Sequence, residues 1–591
     1  MKNSSFNLPF RPGYSTKLAD RVWENLKELP DKVLPPTTAD IYPAKFADDL
    51  VFARDKRVVA LILMVLLAAA FGFRVCGLGT ESLGEDELNK LQTVEEYRAN
   101  GLSGKNGEHP FLMKGLQTIS IIGAGKINRS FLSSETKISD EAALRFPIAL
   151  FGTFTVLLLF LLVSRMFGQT IGLVSAAFWA VEPMAIAFDR IAKEDSLVLF
   201  FLVLTFFFLV RGQAEAEREN PGWRKYVYLA GASFAALMAS KYYPFLLAIP
   251  VAYYNAFKWV PGRRWDLTKS GWLKFIVIMG VSFLIFNPTI LLPDTWREML
   301  KFSSENRIGH DSYEFMGALY RNQMSAWLAG VPWTFFFVFL GVKTSLLTLI
   351  LFVAGLPAML MRKLGDGRLL IFFWALVWLL SYTFVGGKFT RYFTIAAPLV
   401  FIPAAVGFYF IVKWLSERMP SVRVAAGLQI VLFVVVIAFP VTRSLSVSPH
   451  FRLYTNGIGG GVAGAGTYFP HDEFYDATTS DIVAEIAKTA TSNAIVACET
   501  PALFEHYAKK AGRGDLRMIS MSDAAEMQQV GAEDYVVAAR GRKYFSNRAY
   551  LEVLVTSNSS STMIYAGQIH SATIYRLDAA TAERLRAIAG Q

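Results

Sequence analysis

One feature constrains this chain more than any other: a run from Val58 to Leu78 that is apolar throughout, with Arg74 as its only charge. Roughly 20 residues of this kind cross a bilayer as a helix. Comparable runs recur near 146–165, 168–188, 196–211, 226–241, 243–258 and 273–292, and again near 343–361, 369–386, 392–413 and 424–441. A water-soluble fold of 591 residues has no use for so many, and 53% hydrophobic against 18% charged residues, with mean hydropathy +0.36, excludes one. The pattern predicts a mainly α, polytopic membrane helical protein of about eleven spans.

Loop charges orient the spans. Residues 1–57 show no signal-peptide pattern and end in Arg54, Lys56 and Arg57, which predicts a cytoplasmic N-terminus. Alternate loops are basic: Arg211, Arg218, Arg224 and Lys225; Lys258, Arg263, Arg264 and Lys269; Arg362, Lys363 and Arg368; Lys413, Arg418 and Arg423. Those loops face inward, and the remaining loops carry both signs and face outward. The net charge of +11 is therefore read as cytoplasmic loops against anionic lipid, with no nucleic-acid partner. Cys76 and Cys498 are the only cysteines, so neither a disulfide framework nor a cysteine-ligated metal is expected.

Composition changes after Thr442. The glycine-rich stretch Tyr454–Gly466 leads into residues where short β-type runs (494–498, 534–539, 561–566) alternate with helical patterns. That alternation predicts a soluble α/β domain over 446–591, on the extracytoplasmic side because the span number is odd. The glycines follow no strand in a phosphate-cradle pattern, so they read as a linker or lid. The expected divisions are 1–57, a membrane domain over 58–445 with an outward loop over 79–144, and 446–591.

Chemistry points to that outward loop. Glu85, Asp86 and Glu87 stand a few residues past the first span. Three adjacent carboxylates there form either a solvated acidic surface or a site that holds a cation, meets a cationic substrate or removes a proton. Pro110–Ile127 is amphipathic but too short and interrupted to cross, and reads as a helix lying in the interface. Other charges gather at the outer ends of spans: Arg145, the turn Asp189, Arg190, Lys193, Glu194 and Asp195, then Lys241, Lys343, Lys388 and Arg391. Each alone fits a snorkelling residue. Together they set cations and carboxylates on one face of one membrane, as an anionic lipid headgroup requires. Breaking a sugar–phosphate bond releases negative charge that Arg and Lys stabilise, while a carboxylate takes the proton of an attacking hydroxyl.

These motifs, in this order, resemble glycosyltransferase family 39, the dolichyl-phosphate-mannose protein mannosyltransferases and their bacterial relatives, of the multi-span GT-C fold. Asp86-Glu87 resembles the family's catalytic loop signature, and His109-Pro110 with Lys114 its HPPLGK segment. RFPIALFG (145–152) is similar to its Arg-x-x-x-Ala-x-x-Gly motif, and RIAKEDSLVLFF (190–201) to its Arg…Asp-Ser segment. HDSYEFMG (310–317) and PWTFFFVFLGVKTSL (332–346) resemble the outward-loop and Lys-Thr-Pro regions of bacterial members. Phe111 departs from the second proline of HPP and Ser345 from the proline of Lys-Thr-Pro, and nothing corresponds to the eukaryotic MIR domain. His109 leans towards the mannosyltransferases rather than the lipid A aminoarabinose transferases, which share the fold.

The resemblance implies inverting transfer of a mannose-type hexose from a polyprenyl-phosphate carrier to an acceptor hydroxyl at the outer face of a bacterial-type inner membrane. A protein serine or threonine is the expected acceptor, with a glycolipid or envelope polymer as the alternative. It makes Asp86 the general base and Glu87 its orienting neighbour. Arg145, Arg190, Lys343, Lys388 and Arg391 become candidate phosphate contacts, with His109 and Lys114 beside the donor and Asp195 and Lys241 as further candidates. No cofactor is required, although Asp86 and Glu87 offer a place for a divalent cation. A secondary transporter is the competing class. It would place ionisable groups near the midplane of two repeated halves, whereas here they lie at one face without an evident repeat.

Overall fold

The computed structural model describes residues 49–131, 133, 136–258, 265–304, 309–323 and 329–590. Residues 1–48 of the expected cytoplasmic segment, and Arg263 and Arg264 of one basic loop, lie outside these ranges.

Helix α1 (Lys56–Val75) starts where the Asp55 carboxylate accepts from the Arg57 amide, and it leaves Leu61, Met64 and Val65 exposed as a lipid-type face. The loop expected to face outward follows, with α2 (Glu85–Asn100) and α3 (Phe111–Ser130). The helix expected over Pro110–Ile127 forms as α3: it buries Met113, Gln117, Ile121 and Ala124 and exposes Ile119, Ile122 and Ile127. Then come α4 (Asp140–Phe167), α5 (Gln169–Val181), α6 (Pro183–Phe188), α7 (Asp195–Glu217), α8 (Arg224–Ser240), α9 (Ala248–Lys258) and α10 (Lys269–Phe286). The single run expected over 168–188 is two helices, because Pro183 has no amide to continue α5 and opens α6 instead. Likewise α10 stops at Asn287-Pro288, short of the expected 292.

After α11 (Pro293–Ser304), strands β1 (Ser312–Phe315) and β2 (Ala318–Arg321) form an antiparallel hairpin. Both turn residues, Met316 and Gly317, have positive φ, the mirror-image turn whose twist suits adjoining strands. Helix α12 (Phe335–Lys343) precedes α13 (Leu346–Met359), α14 (Gly367–Tyr382), α15 (Pro398–Ser416) and α16 (Val422–Val447). Among the described residues, six helices are long and apolar enough to cross a membrane: α1, α4, α7, α10, α15 and α16. Shorter apolar helices lie at Gln169–Val181, Pro244–Phe257, Leu346–Met359 and Gly367–Tyr382. The protein is thus mostly helical and membrane-integral; ten of the eleven expected runs fall on these full-length or shorter apolar helices, and the run expected near 226–241, α8, is in neither group.

The C-terminal residues build a five-stranded sheet of order β4-β3-β5-β7-β6: β3 (Ile495–Cys498), β4 (Arg517–Ser520), β5 (Tyr535–Ala539), β6 (Ser560–Ala566) and β7 (Ile569–Arg576). β3 pairs in parallel with β4 and β5, whereas β7 is antiparallel to β5 and β6. Helices α17 (Thr479–Thr489) and α18 (Pro501–Lys510) cover one face, and α19 (Arg548–Val555) and α20 (Ala579–Ala589) the other. The first face does not close on itself. Ile482, Val496, Phe504 and Val537 share one apolar core with Leu88 and Val94 of α2, Met113 of α3 and Leu144 and Ile148 of α4. The sheet therefore rests directly on the loop that carries the acidic triplet.

Candidate active site

The triplet forms the first turn of α2, where negative charge is favoured by the unpaired amides of a helix start. Its three members face different ways. Glu87 is fully buried. Its Oε1 and Oε2 accept from Arg145 Nε (2.9 Å) and Nη2 (2.6 Å), and further from the amides of Ala192 (2.7 Å) and Gly84 (2.8 Å). Burial alone would raise its pKa, but the forked contact with Arg145 and the two amides hold it below the usual range. Four donors leave Glu87 no free lone pair for chemistry. Arg145, on α4, also donates to the carbonyls of Leu78, Glu81 and Ser82, and so binds the loop to the membrane domain.

Asp86 is part-open, with a side chain 40% exposed. It pairs with buried Lys193, and Arg391 Nη2 stands 3.8 Å away. Burial again acts to raise its pKa, yet Lys193, Arg391 and Lys90 hold it well below the ordinary carboxylate value. Lys193 is correspondingly lowered by burial to about 8 despite Asp86 beside it. Glu85, 47% exposed, turns towards His310 (3.1 Å) and Arg542 (3.2 Å).

Behind Asp86 lies a second layer. Lys90, one turn along α2, pairs with buried Glu194 at 2.7 Å, and His109 Nδ1 stands 3.4 Å from the same carboxylate. Burial outweighs Glu194 and keeps His109 well below its normal pKa, hence neutral. Lys241 pairs with Asp195 at 2.9 Å, and Arg391 Nε approaches Asp195 to 4.0 Å. Arg391 lies over the rings of Phe389 (4.1 Å) and Tyr392 (5.7 Å), which fix its plane. It also lines a narrow cavity with Thr390, Asp472 and Tyr475, whose opposite wall is apolar: Met184, Phe188, Ile191 and Phe339.

Asp86, Arg391, Asp195, Lys241 and His109 thus gather in one region. The other expected cations are engaged elsewhere. Arg190 donates to the carbonyls of Phe73, Arg74, Cys76 and Gly77 and closes the end of α1. Lys343 lines the same cavity as Arg391 but is held by Glu473 and by the Tyr454 carbonyl at 2.7 Å. Lys388 donates to the Val331 and Val385 carbonyls, and Lys114 to those of Asn106 and Lys105. Burial lowers Lys388 to about 8 and Lys114 to about 7.

Among the described residues no group of three or more His, Cys, Asp or Glu converges to hold a metal ion. Nor does the expected pair fit a divalent cation: Glu87 is saturated by donors and Asp86 faces Lys193.

Sequence reasoning overlooked Lys90, although its place four residues after Asp86 puts it on the same helix face. It noted Lys193 and Glu194 without giving them a role. Arg542, Tyr475 and Asp472 left no local signal, since each reaches the site from beyond residue 470.

Residues 131–291 match the family model of dolichyl-phosphate-mannose-protein mannosyltransferase, a stretch that includes Arg145, Arg190, Lys193, Asp195 and Lys241. No curated protein matches the chain. Among solved structures, the chain is similar to ArnT from Cupriavidus metallidurans bound to undecaprenyl phosphate, at 14% identity and a TM-score of 0.46, over 87% of this chain and 97% of that one. It is also similar to the apo oligosaccharyltransferase of Archaeoglobus fulgidus, at 10% identity and a TM-score of 0.48, over 82% of this chain and 70% of the other. The arabinofuranosyltransferase AftD from Mycobacteria is 12% identical with a TM-score of 0.40, over 89% and 40% of the two chains. The chain is a membrane glycosyltransferase that resembles the dolichyl-phosphate-mannose-protein mannosyltransferases, glycosyltransferase family 39.

Proposed function

We propose that the protein moves a mannose-type hexose from a polyprenyl-phosphate carrier to a hydroxyl of a protein serine or threonine at the outer face of the membrane, with inversion. The observation that carries this reading is Asp86, a part-exposed carboxylate paired with Lys193 and 3.8 Å from Arg391, which itself lines a cavity with apolar side chains. The carrier's phosphate meets Arg391, and its first isoprenes lie along Met184, Phe188 and Phe339. Phosphate and Asp86 compete for the same cations. As the donor phosphate takes Arg391 and Lys193, Asp86 loses the charges that depress its pKa and becomes a better base. It then accepts the proton of the acceptor hydroxyl as that oxygen attacks the anomeric carbon from the face opposite the phosphate. The sugar–phosphate bond breaks, and Arg391 stabilises the charge left on the carrier phosphate.

The test is transfer by purified protein in nanodiscs, supplied with polyprenyl-phosphate-[³H]mannose and a serine/threonine-rich peptide. Label in the peptide, with the anomeric configuration inverted, is the expected result. Label in an added glycolipid instead would favour the aminoarabinose-transferase-like acceptor class. Absence of label in every acceptor would contradict the proposal.

A further inference from the structure

Residues 78–84 have no regular structure before α2, and the first amides of α2 have no partner within the helix, so these backbone groups need partners from elsewhere. The carbonyls of Leu78, Glu81 and Ser82 turn to Arg145 in the membrane domain. The amides turn the opposite way. Ser82 donates to the Ala477 carbonyl (2.9 Å), Leu83 to Tyr507 Oη (2.7 Å) and Glu85 to Asp476 Oδ2 (3.2 Å). Half of what fixes this loop comes from residues about 400 positions later.

Arg542 ties these contacts together. It is 7% exposed and pairs with Asp476 through both arms of its guanidinium. Its Nη1 reaches Glu85 Oε2 at 3.2 Å, His310 Nε2 at 2.8 Å and Tyr544 Oη at 3.0 Å. Arg542 follows β5 at a particular place in the sheet. The parallel strands run in the order β4-β3-β5, so the chain leaves β3 towards one neighbour and returns on its other side. In open α/β sheets the crevice beyond the carboxyl ends of two such strands takes a ligand. Here the cavity at those ends is lined by Glu499 and Thr500 after β3, by Ala539 and Arg542 at and after β5, and by Phe474 and Asp476. Phe474 and Asp476 of the chain's own 474–476 segment form one side of that crevice, and Arg542 reaches from it to Glu85.

We infer that the C-terminal domain uses this crevice as a socket for the loop that carries Asp86, with Arg542 and Tyr507 as positioning residues for the general base. The inference rests on the proposed role of Asp86. A carboxylate displaced by about 1 Å can cost about 10²-fold in rate, and without these contacts the first turn of α2 is held from one side only. Neither residue faces the cavity beside Arg391, so the loss falls on turnover rather than on donor binding.

Two measurements on the full-length protein in nanodiscs decide the matter. Arg542→Lys keeps a charge for Asp476 but cannot fork between Asp476 and Glu85. Tyr507→Phe removes the acceptor of the Leu83 amide. Both are expected to speed hydrogen exchange of the 82–87 amides by about tenfold or more, with the peptides of α15 unchanged. With polyprenyl-phosphate-mannose, kcat should fall by roughly tenfold while the donor KM stays near the wild-type value. If either variant fails to fold, Glu85→Gln takes its place, since that side chain is 47% exposed and its loss leaves Asp476 paired. Unchanged exchange over 82–87, or a rise in KM with kcat intact, overturns the inference. If the wild-type protein transfers no sugar at all, the proposed function fails and the exchange measurement alone decides the socket.

Discussion

At Asp86 and Glu87, two neighbouring carboxylates on one helical turn have unlike surroundings and hence unlike duties. Glu87 is saturated by Arg145 and two amides; Asp86 faces two cations and solvent. Replacing Glu87 by Gln leaves Arg145 buried without its counter-charge, which typically costs about 3–5 kcal/mol. The expected outcome is a lower melting temperature in detergent, with any surviving protein active. Lys193 sets an alkaline limit. Its pKa is lowered to about 8, so it loses its proton as pH rises through that value, and the donor phosphate then meets one cation fewer. A fall in kcat/KM above about pH 8 is predicted, and Lys193→Arg should move that limb upward. Arg391→Ala should weaken donor binding, with Arg391→Lys restoring it only in part, because a lysine cannot present two parallel N–H groups to a phosphate. Donor affinity unchanged from wild type in both Arg391 variants would remove the residue from the site.

Elements explain why the motifs have the spacing they do. In RFPIALFG, Arg145 binds the loop, and Gly152 lies where α4 passes the Asp189 carboxylate, itself paired with buried Arg74 at 2.7 Å. A Cβ at Gly152 would stand 2.2 Å from Asp189 Oδ2. Gly152→Ala is therefore predicted to destabilise by about 1–3 kcal/mol. Gly427→Ala, in α16 with nothing within 4 Å of the new methyl, should be neutral or slightly stabilising. Thermal unfolding of the two variants side by side checks this. The departure at Ser345 also has a physical role: its hydroxyl and amide both donate to buried Glu182, the second a bond that proline could not make. Much of this was legible beforehand. Apolar run length located most of the long helices, and charge position marked Asp86, Arg391 and Asp195, which the fold brings close together. The split at Pro183 was obscured by an apolar run that continues through it. The internal duties of Arg190 and Lys388 were hidden because their partners are backbone carbonyls, which no sequence pattern marks, and that of Lys343 because Glu473 and the Tyr454 carbonyl lie far along the chain.

Over the whole molecule, basic loops alternate along the chain with loops of both signs, which makes the orientation testable. A compartment reporter fused after Thr442 is expected to be active only outside the cytoplasm, and one at Arg264 only inside; agreement between the two would contradict the assigned sidedness. The sheet at the C-terminus could be foreseen as an α/β unit. Its docking onto the outward loop could not, because Tyr507 and Arg542 are separated from Leu83 and Glu85 by most of the membrane domain. The account as a whole turns on Asp86 as the base. Asp86→Asn keeps the shape but cannot take a proton, and general-base assistance typically contributes about 10²–10⁴-fold. Single-turnover transfer from polyprenyl-phosphate-mannose should therefore fall by roughly 10²-fold or more in Asp86→Asn, with melting temperature and donor binding close to wild type. Near-normal transfer by a folded Asp86→Asn protein would contradict the account.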